Sequence, residues 1–225
     1  MGALTEFSNH MDWQGMLLFL MSAVACLICL TIHELAHGLM ARQLGDPTAK
    51  NAGRLSLNPL RHFDPLGTLC MVLGGVGWAK PVGIDPRRFR NPKIGMAVSA
   101  AAGPVSNFLL GFVSTIIYKV VWYASAGQAP DLVMDFLWYM IAMNISLGVF
   151  NLIPVPPFDG SRIALLFLPR RLYFRVMQYE HYIMVAVLIL VLIGALDRPL
   201  GFFVNAVYGA FFGATEFVEV AFGLL

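Results

Sequence analysis

The chain has 225 residues, 58% of them hydrophobic and 12% charged, with a formal net charge of +2. Soluble domains are nearer about 45–50% apolar and about 25% charged, so a soluble globular enzyme is excluded and an integral membrane protein is indicated. The length suits a single membrane-embedded domain over residues 1–225, and no stretch is polar enough to form a second.

The first 15 residues carry Glu6, His10 and Asp12 without a basic start. No cleavable signal is therefore expected, and the first apolar segment should be retained. A spanning helix needs about 20 apolar residues, and Met16–Ala41 is long enough. Further segments are expected over about Ile94–Trp122, Leu132–Ile153, Tyr182–Leu196 and Gly201–Leu225, the last carrying Glu216 and Glu219 near its end. The run Leu66–Trp78 is apolar but short and Gly-rich, which fits a re-entrant segment or a β-hairpin ending near Val82. Its Gly75-Val76-Gly77 lacks the strand and helix of a phosphate loop. The expected fold class is thus an all-α polytopic membrane protein. It has about five to six transmembrane helices and a re-entrant or hairpin element between the first two.

Thirteen of the fifteen basic residues fall between segments one and two or between three and four. Both loops lie on one side, which the distribution of basic residues makes the cytoplasm. The N-terminus is then outside and, with five spans, the C-terminus inside. The cysteines, Cys26, Cys29 and Cys70, are odd in number and sit in apolar segments, so no disulfide framework is expected. Cys26 and Cys29 read as small packing residues rather than a redox pair.

Inside the first segment stand His33, Glu34 and His37, as H-E-L-A-H. Ionisable groups at membrane depth are costly and point to function. Two imidazoles one turn apart, with a carboxylate between, are what a catalytic zinc site takes from one helix. His37 is five residues before Arg42, or roughly 8 Å along the helix, which puts the site in the cytoplasmic half. Zinc needs a third protein ligand, and Asp159 is the strongest candidate. It follows Asn151-Leu152-Ile153-Pro154-Val155-Pro156-Pro157-Phe158 and precedes Gly160. The prolines must end the helix there, and the chain should then run extended to Asp159. Segments one and three run in the same direction, so their ends share a depth. His62 and Asp64 belong to the basic loop and read as loop-capping residues, while the role of Lys80 is open. A metal or proton transporter is the alternative, although polar stations along its whole path would be required.

These residues resemble the site-2 protease family of intramembrane zinc metalloproteases. The resemblance rests on H-E-L-A-H, on Asn-Pro-Leu-Arg-His-Phe-Asp-Pro-Leu-Gly-Thr from Asn58, and on Gly-Trp-Ala-Lys-Pro-Val from Gly77. It continues in Ala-Gly-Pro-Val-Ser-Asn from Ala102 and in the decapeptide from Asn151 to Gly160. The chain is similar to the minimal subgroup without PDZ or CBS domains. The resemblance implies one Zn2+ per chain held by His33, His37 and Asp159, with Glu34 as general base. It implies cleavage of peptide bonds in or near transmembrane helices of client proteins, in the cell membrane. Residues 14–165 would form the catalytic core, and 177–225 the C-terminal helices. Asn151 and Pro157 are candidate substrate or oxyanion contacts. Asn107, Ser106 and Asn144 read as helix-packing residues. A client helix would pair as a strand along Gly74–Val82. No nucleic-acid partner is expected, and no oligomeric state is implied.

Overall fold

In lipid a backbone must satisfy its own polar groups, and an apolar run without breaks does so by coiling. The computed structural model describes residues 13–62, 64 and 80–223, and these contain helices, turns and no strands. Helix α1, Trp13–Gln43, has 31 residues and is about 46 Å long, more than the roughly 30 Å hydrocarbon core needs. A short α2, Thr48–Asn51, and 3-10 turns at Pro59–Arg61 and Pro86–Arg88 follow in the basic loop. Most of the expected hairpin lies outside the described residues. Its end, Lys80–Val82, is irregular and is tied back by the Lys80 N–H donating to the His62 carbonyl at 2.9 Å.

Helix α3, Pro92–Ala124, starts where Asn91 accepts a hydrogen bond from the Ile94 N–H and Pro92 occupies the first turn. Helix α4 is Asp131–Asn151 and α5 is Asp159–Leu166. Then come α6, Arg170–Gln178, α7, Glu180–Leu192, α8, Asp197–Ala214, and α9, Phe217–Ala221. Four helical stretches are long and apolar enough to cross a membrane: Trp13–Gln43, Pro92–Ala124, Asp131–Asn151 and Asp197–Ala221. The expected fourth segment is the 13-residue α7. It stops because Gly194, at φ +70°, takes the left-handed conformation that closes a helix C-terminus, with its N–H on Val191 O at 3.0 Å.

Helix α3 is the hub, packed on α1, α4 and α5. Lipid tails supply no water to expel, so helices associate through close packing and small residues. The buried face of α3 accordingly carries Gly95, Ala97, Ser99, Ala100, Gly103 and Asn107. Deeper along the helix, Ser114 and Thr115 turn their hydroxyls to the carbonyls of Leu110 and Gly111, at 2.8 and 2.9 Å, so neither of these two hydroxyls is stranded. Ile141, Ile145 and Val149 of α4 form a core under Phe108, Val207 and Phe211. Cys29 is buried with Ala25 and Met140, and Cys26 and Cys29 are both free thiols.

One ion pair ties the last helix to α3. Lys119 is buried in α3 and pairs with Glu219 of α9 at 2.7 Å, while also donating to the Phe212 carbonyl at 2.7 Å. Lys119 lies about 24 Å along α3 from Gly103. At its other end α8 starts beside α4's exit, where Leu196 and Leu200 share an apolar recess with Ile153 and Pro154. Helix α8 therefore runs away from the basic loops, and Glu219 of α9 meets α3 far from Gly103. Helix α7, at 13 residues, is shorter than the about 20 that a span needs.

Asp46, just after α1, holds the basic loop together. It is fully buried and accepts from the N–H groups of Thr48 at 2.9 Å and Asp85 at 2.7 Å, as well as from the Thr48 hydroxyl. Burial alone would raise its carboxyl pKa. The Thr48 hydroxyl, the two N–H donors and Arg88 outweigh burial and hold it below the ordinary value. A depressed carboxylate stabilises the fold fully above the unfolded value near 3.9, and this contribution is lost as pH falls through the lower folded value. Asp46→Ala strands two donors and is expected to cost about 2–3 kcal/mol. The check is the thermal midpoint of the detergent-solubilised protein, which should drop at pH 7, with the gap to wild type narrowing towards pH 3.

Candidate metal centre

Helical spacing puts His33 and His37 on one face of α1, turned towards α3. His37 Nδ1 donates to the Ser99 carbonyl at 2.7 Å, and His33 Nδ1 to Asn107 Oδ1 at 3.0 Å. Both partners are acceptors, so each neutral ring carries its proton on Nδ1 and presents a lone pair at Nε2. The two Nε2 atoms are 2.9 Å apart. Asp159 Oδ2 closes the triangle, at 3.1 Å from His33 Nε2 and 3.2 Å from His37 Nε2. That oxygen is buried and accepts no hydrogen bond among the described residues.

Three lone pairs facing one another repel unless a cation lies between them. The donor set is two imidazoles and a carboxylate, which is a common catalytic zinc set. Zinc bonds of about 2.0–2.2 Å in a tetrahedron place ligands about 3.3 Å apart, within a few tenths of the observed 2.9–3.2 Å. The orphaned oxygen and the fixed tautomers both fit a metal, and outer hydrogen bonds of this kind orient metal-binding histidines generally.

Asp159 does not stand on an extended chain, as its prolines suggest. The residues after α4 form turns, with the Phe158 N–H on Val155 O at 3.1 Å, and Asp159 opens α5. Gly160 permits this approach, since a Cβ there would lie 2.2 Å from the Leu152 carbonyl oxygen. The first turn of α5 thus seats directly on the C-terminal end of α4, and this aims the carboxylate at α1.

Glu34 stands beside the triangle rather than in it. Its Oε2 accepts the Val82 N–H at 2.7 Å, which pins the carboxylate from the side of the basic loop. A cavity of about 330 Å³ joins Glu34 to His33, His37 and Asp159 and is lined also by Val82, Asn151 and Pro157. Asn151 spends one amide hydrogen on the Leu147 carbonyl at 3.0 Å. Asn144 is buried and donates to its own helix at Met140 O, 2.8 Å away. His62 lies outside the His-His-Asp triangle, with Nε2 on the Ser56 carbonyl at 2.9 Å. The described cluster includes neither His62 nor Asp64.

Gly103, Ser99 and Asn107 were not singled out as site residues from the sequence. A Cβ on Gly103 would sit 2.5 Å from His37 Nε2 and 2.6 Å from His33 Cε1. Helix α3 therefore covers both rings with bare backbone. Gly103→Ala must push the rings apart and is expected to lower zinc affinity at least about tenfold, the lower end for disturbing a ligand's supports. Competition with a chromogenic chelator measures it.

The comparisons agree with this geometry. A model of peptidase family M50 matches residues 117–193, which include Asp159. The chain is 35% identical over 187 residues to the "Putative zinc metalloprotease YwhC" of Bacillus subtilis, covering 80% of this chain and 82% of that one. The chain belongs to peptidase family M50, the site-2 protease family. It is also 26% identical to a Rip2 protein of Mycolicibacterium smegmatis over 63% of this chain and 55% of that one. To a zinc metalloprotease of Methanocaldococcus jannaschii it is 26% identical over 71% of this chain and 36% of that one. No solved structure matches. As an M50 peptidase the protein is a multi-pass intramembrane zinc metalloprotease with zinc as its cofactor. The transporter alternative has no support from the family or its members.

Proposed function

We propose that this peptidase hydrolyses peptide bonds in or near transmembrane helices of client membrane proteins, with His33, His37 and Asp159 as zinc ligands and Glu34 as general base. The observation that carries the assignment is that Glu34 shares the ligand cavity yet is held out of the ligand set by Val82. Zinc, when bound, supplies a Lewis acid that polarises a scissile carbonyl and makes water a stronger acid. Glu34 accepts the proton of the attacking water and returns it to the leaving amine. The Val82 N–H fixes the direction of the carboxylate, so the base is pre-set. Asn151 and Pro157 line the same cavity and contact the client backbone; one amide hydrogen of Asn151 and its carbonyl oxygen remain for that task.

A peptide bond inside a helix has its carbonyl and N–H bonded internally, so the client must unwind before it can be cut. The cavity lies at the bundle end that carries the basic loops. Those loops face the cytoplasm of the cell membrane, the N-terminus lies outside, and water reaches the site from the cytoplasmic side. The four long helices cross, and α7 packs at the interface. Residues 14–165 act as the catalytic core of a single domain, and α6 to α9 complete it. The test is a comparison of membrane-protein fragments from cells expressing wild type or Glu34→Gln. New termini within or beside spanning segments should appear with wild type only, and identical fragment sets would refute the reading.

A further inference from the structure

The basic loop holds a second built feature, away from the metal ligands. A recess of about 250 Å³ is lined by Ala52, Gly53, Arg54, Leu60, Arg61 and Lys80. Among the described residues it gathers three cations and no carboxylate. Arg61 Nη1 donates to the Gly53 carbonyl at 2.7 Å, and Arg54 Nη1 donates to the Arg61 carbonyl. The guanidinium groups are thus fixed by backbone and not by acids. None of the three cations is in an ion pair among the described residues. Gly53 makes the arrangement possible: it has φ +66°, and a Cβ there would lie 2.5 Å from Arg61 Nη1. Three like charges held together cost energy that an arriving anion would recover.

The same loop exposes two large apolar side chains, Leu57 at 69% and Leu60 at 75%. Cations flanked by exposed leucines at a membrane surface match a headgroup phosphate and its acyl chains together, whereas a free anion has no use for the leucines. We propose that this recess binds the phosphate of an anionic phospholipid headgroup, with Leu57 and Leu60 in the acyl region. Arginine forks suit phosphate oxygens, and Lys80 adds a point charge. Lys80 is two residues before Val82, whose N–H holds Glu34. A seated headgroup therefore also steadies the segment that supports Glu34.

The experiment is native mass spectrometry of the detergent-solubilised, zinc-loaded protein, counting retained phosphatidylglycerol against phosphatidylcholine. Each surface cation is worth about fivefold in affinity for an anionic lipid. Wild type should retain phosphatidylglycerol at least about fivefold over phosphatidylcholine. Lys80→Gln should lose about fivefold and the Arg61→Gln/Lys80→Gln pair more, while the exposed Arg90→Gln control keeps the wild-type value. Lys80 is exposed and its side chain makes no described contact, so that variant tests the site even where the loss of Arg61 loosens the loop. Millimolar inorganic phosphate should leave the lipid in place. Equal retention of both lipids, unchanged retention by Lys80→Gln, or full displacement by inorganic phosphate would each overturn the proposal. The readout is lipid binding, so it is independent of whether clients are cleaved.

Discussion

Asp159→Ala is expected to lower zinc affinity by more than about 100-fold and to abolish client cleavage. Loss of a partner behind a ligand already costs about 10–100-fold, and Asp159 supplies one of three converging donor atoms. Its Oδ2 lies 3.1 and 3.2 Å from the two Nε2 atoms and bonds nothing else described. Asp159→Asn keeps the shape but removes the charge, so it should also lose most of the metal. Metal analysis after equilibration with a chelator checks both variants. Wild-type zinc content in Asp159→Ala would move the third ligand elsewhere. The fold should survive either change, because α5 is seated by Gly160 on the carbonyls of Leu152 and Ile153 and not by the carboxylate.

Glu34→Gln is expected to separate metal binding from chemistry. General-base catalysis contributes about 10²- to 10⁴-fold, and an amide cannot accept the proton. Glutamine is isosteric and retains a carbonyl oxygen for the Val82 N–H, which bonds Glu34 at 2.7 Å in wild type. The support from the basic loop should therefore persist, with zinc content within about twofold of wild type. Added base at higher pH should not restore cleavage, since the lost function is a positioned acceptor and not bulk hydroxide.

The legible parts of this protein were those where periodicity or covalent constraint speaks directly. H-E-L-A-H places two imidazoles a turn apart wherever the segment is helical. The prolines from Pro154 to Pro157 must stop a helix, so a carboxylate beyond them at the matching depth could be read as a ligand candidate. What covers the ligands was harder to read. Gly103, Ser99 and Asn107 lie in a run of small residues that any closely packed membrane helix uses, so nothing in the sequence separates packing from ring support. Val82 acts through its backbone N–H, which every residue but proline has, and no side-chain pattern could reveal it. Asp46 resembles any loop aspartate until its three donors converge. Tyr182–Leu196 has the composition of a span, yet its helix closes at Leu192 after 13 residues. The Lys119–Glu219 pair that ties α9 to α3 joins residues far apart in the sequence, so no local pattern signals it.

The most direct test of the account is a paired measurement on purified protein reconstituted in bilayer nanodiscs with a client transmembrane helix. Zinc stoichiometry and the single-turnover cleavage rate are measured on the same samples of wild type and Glu34→Gln. The account predicts about one zinc in each and a rate at least about 100-fold lower in the variant. Equal rates from two zinc-loaded samples would contradict Glu34 as the base and, with it, the chemical reading of the cavity.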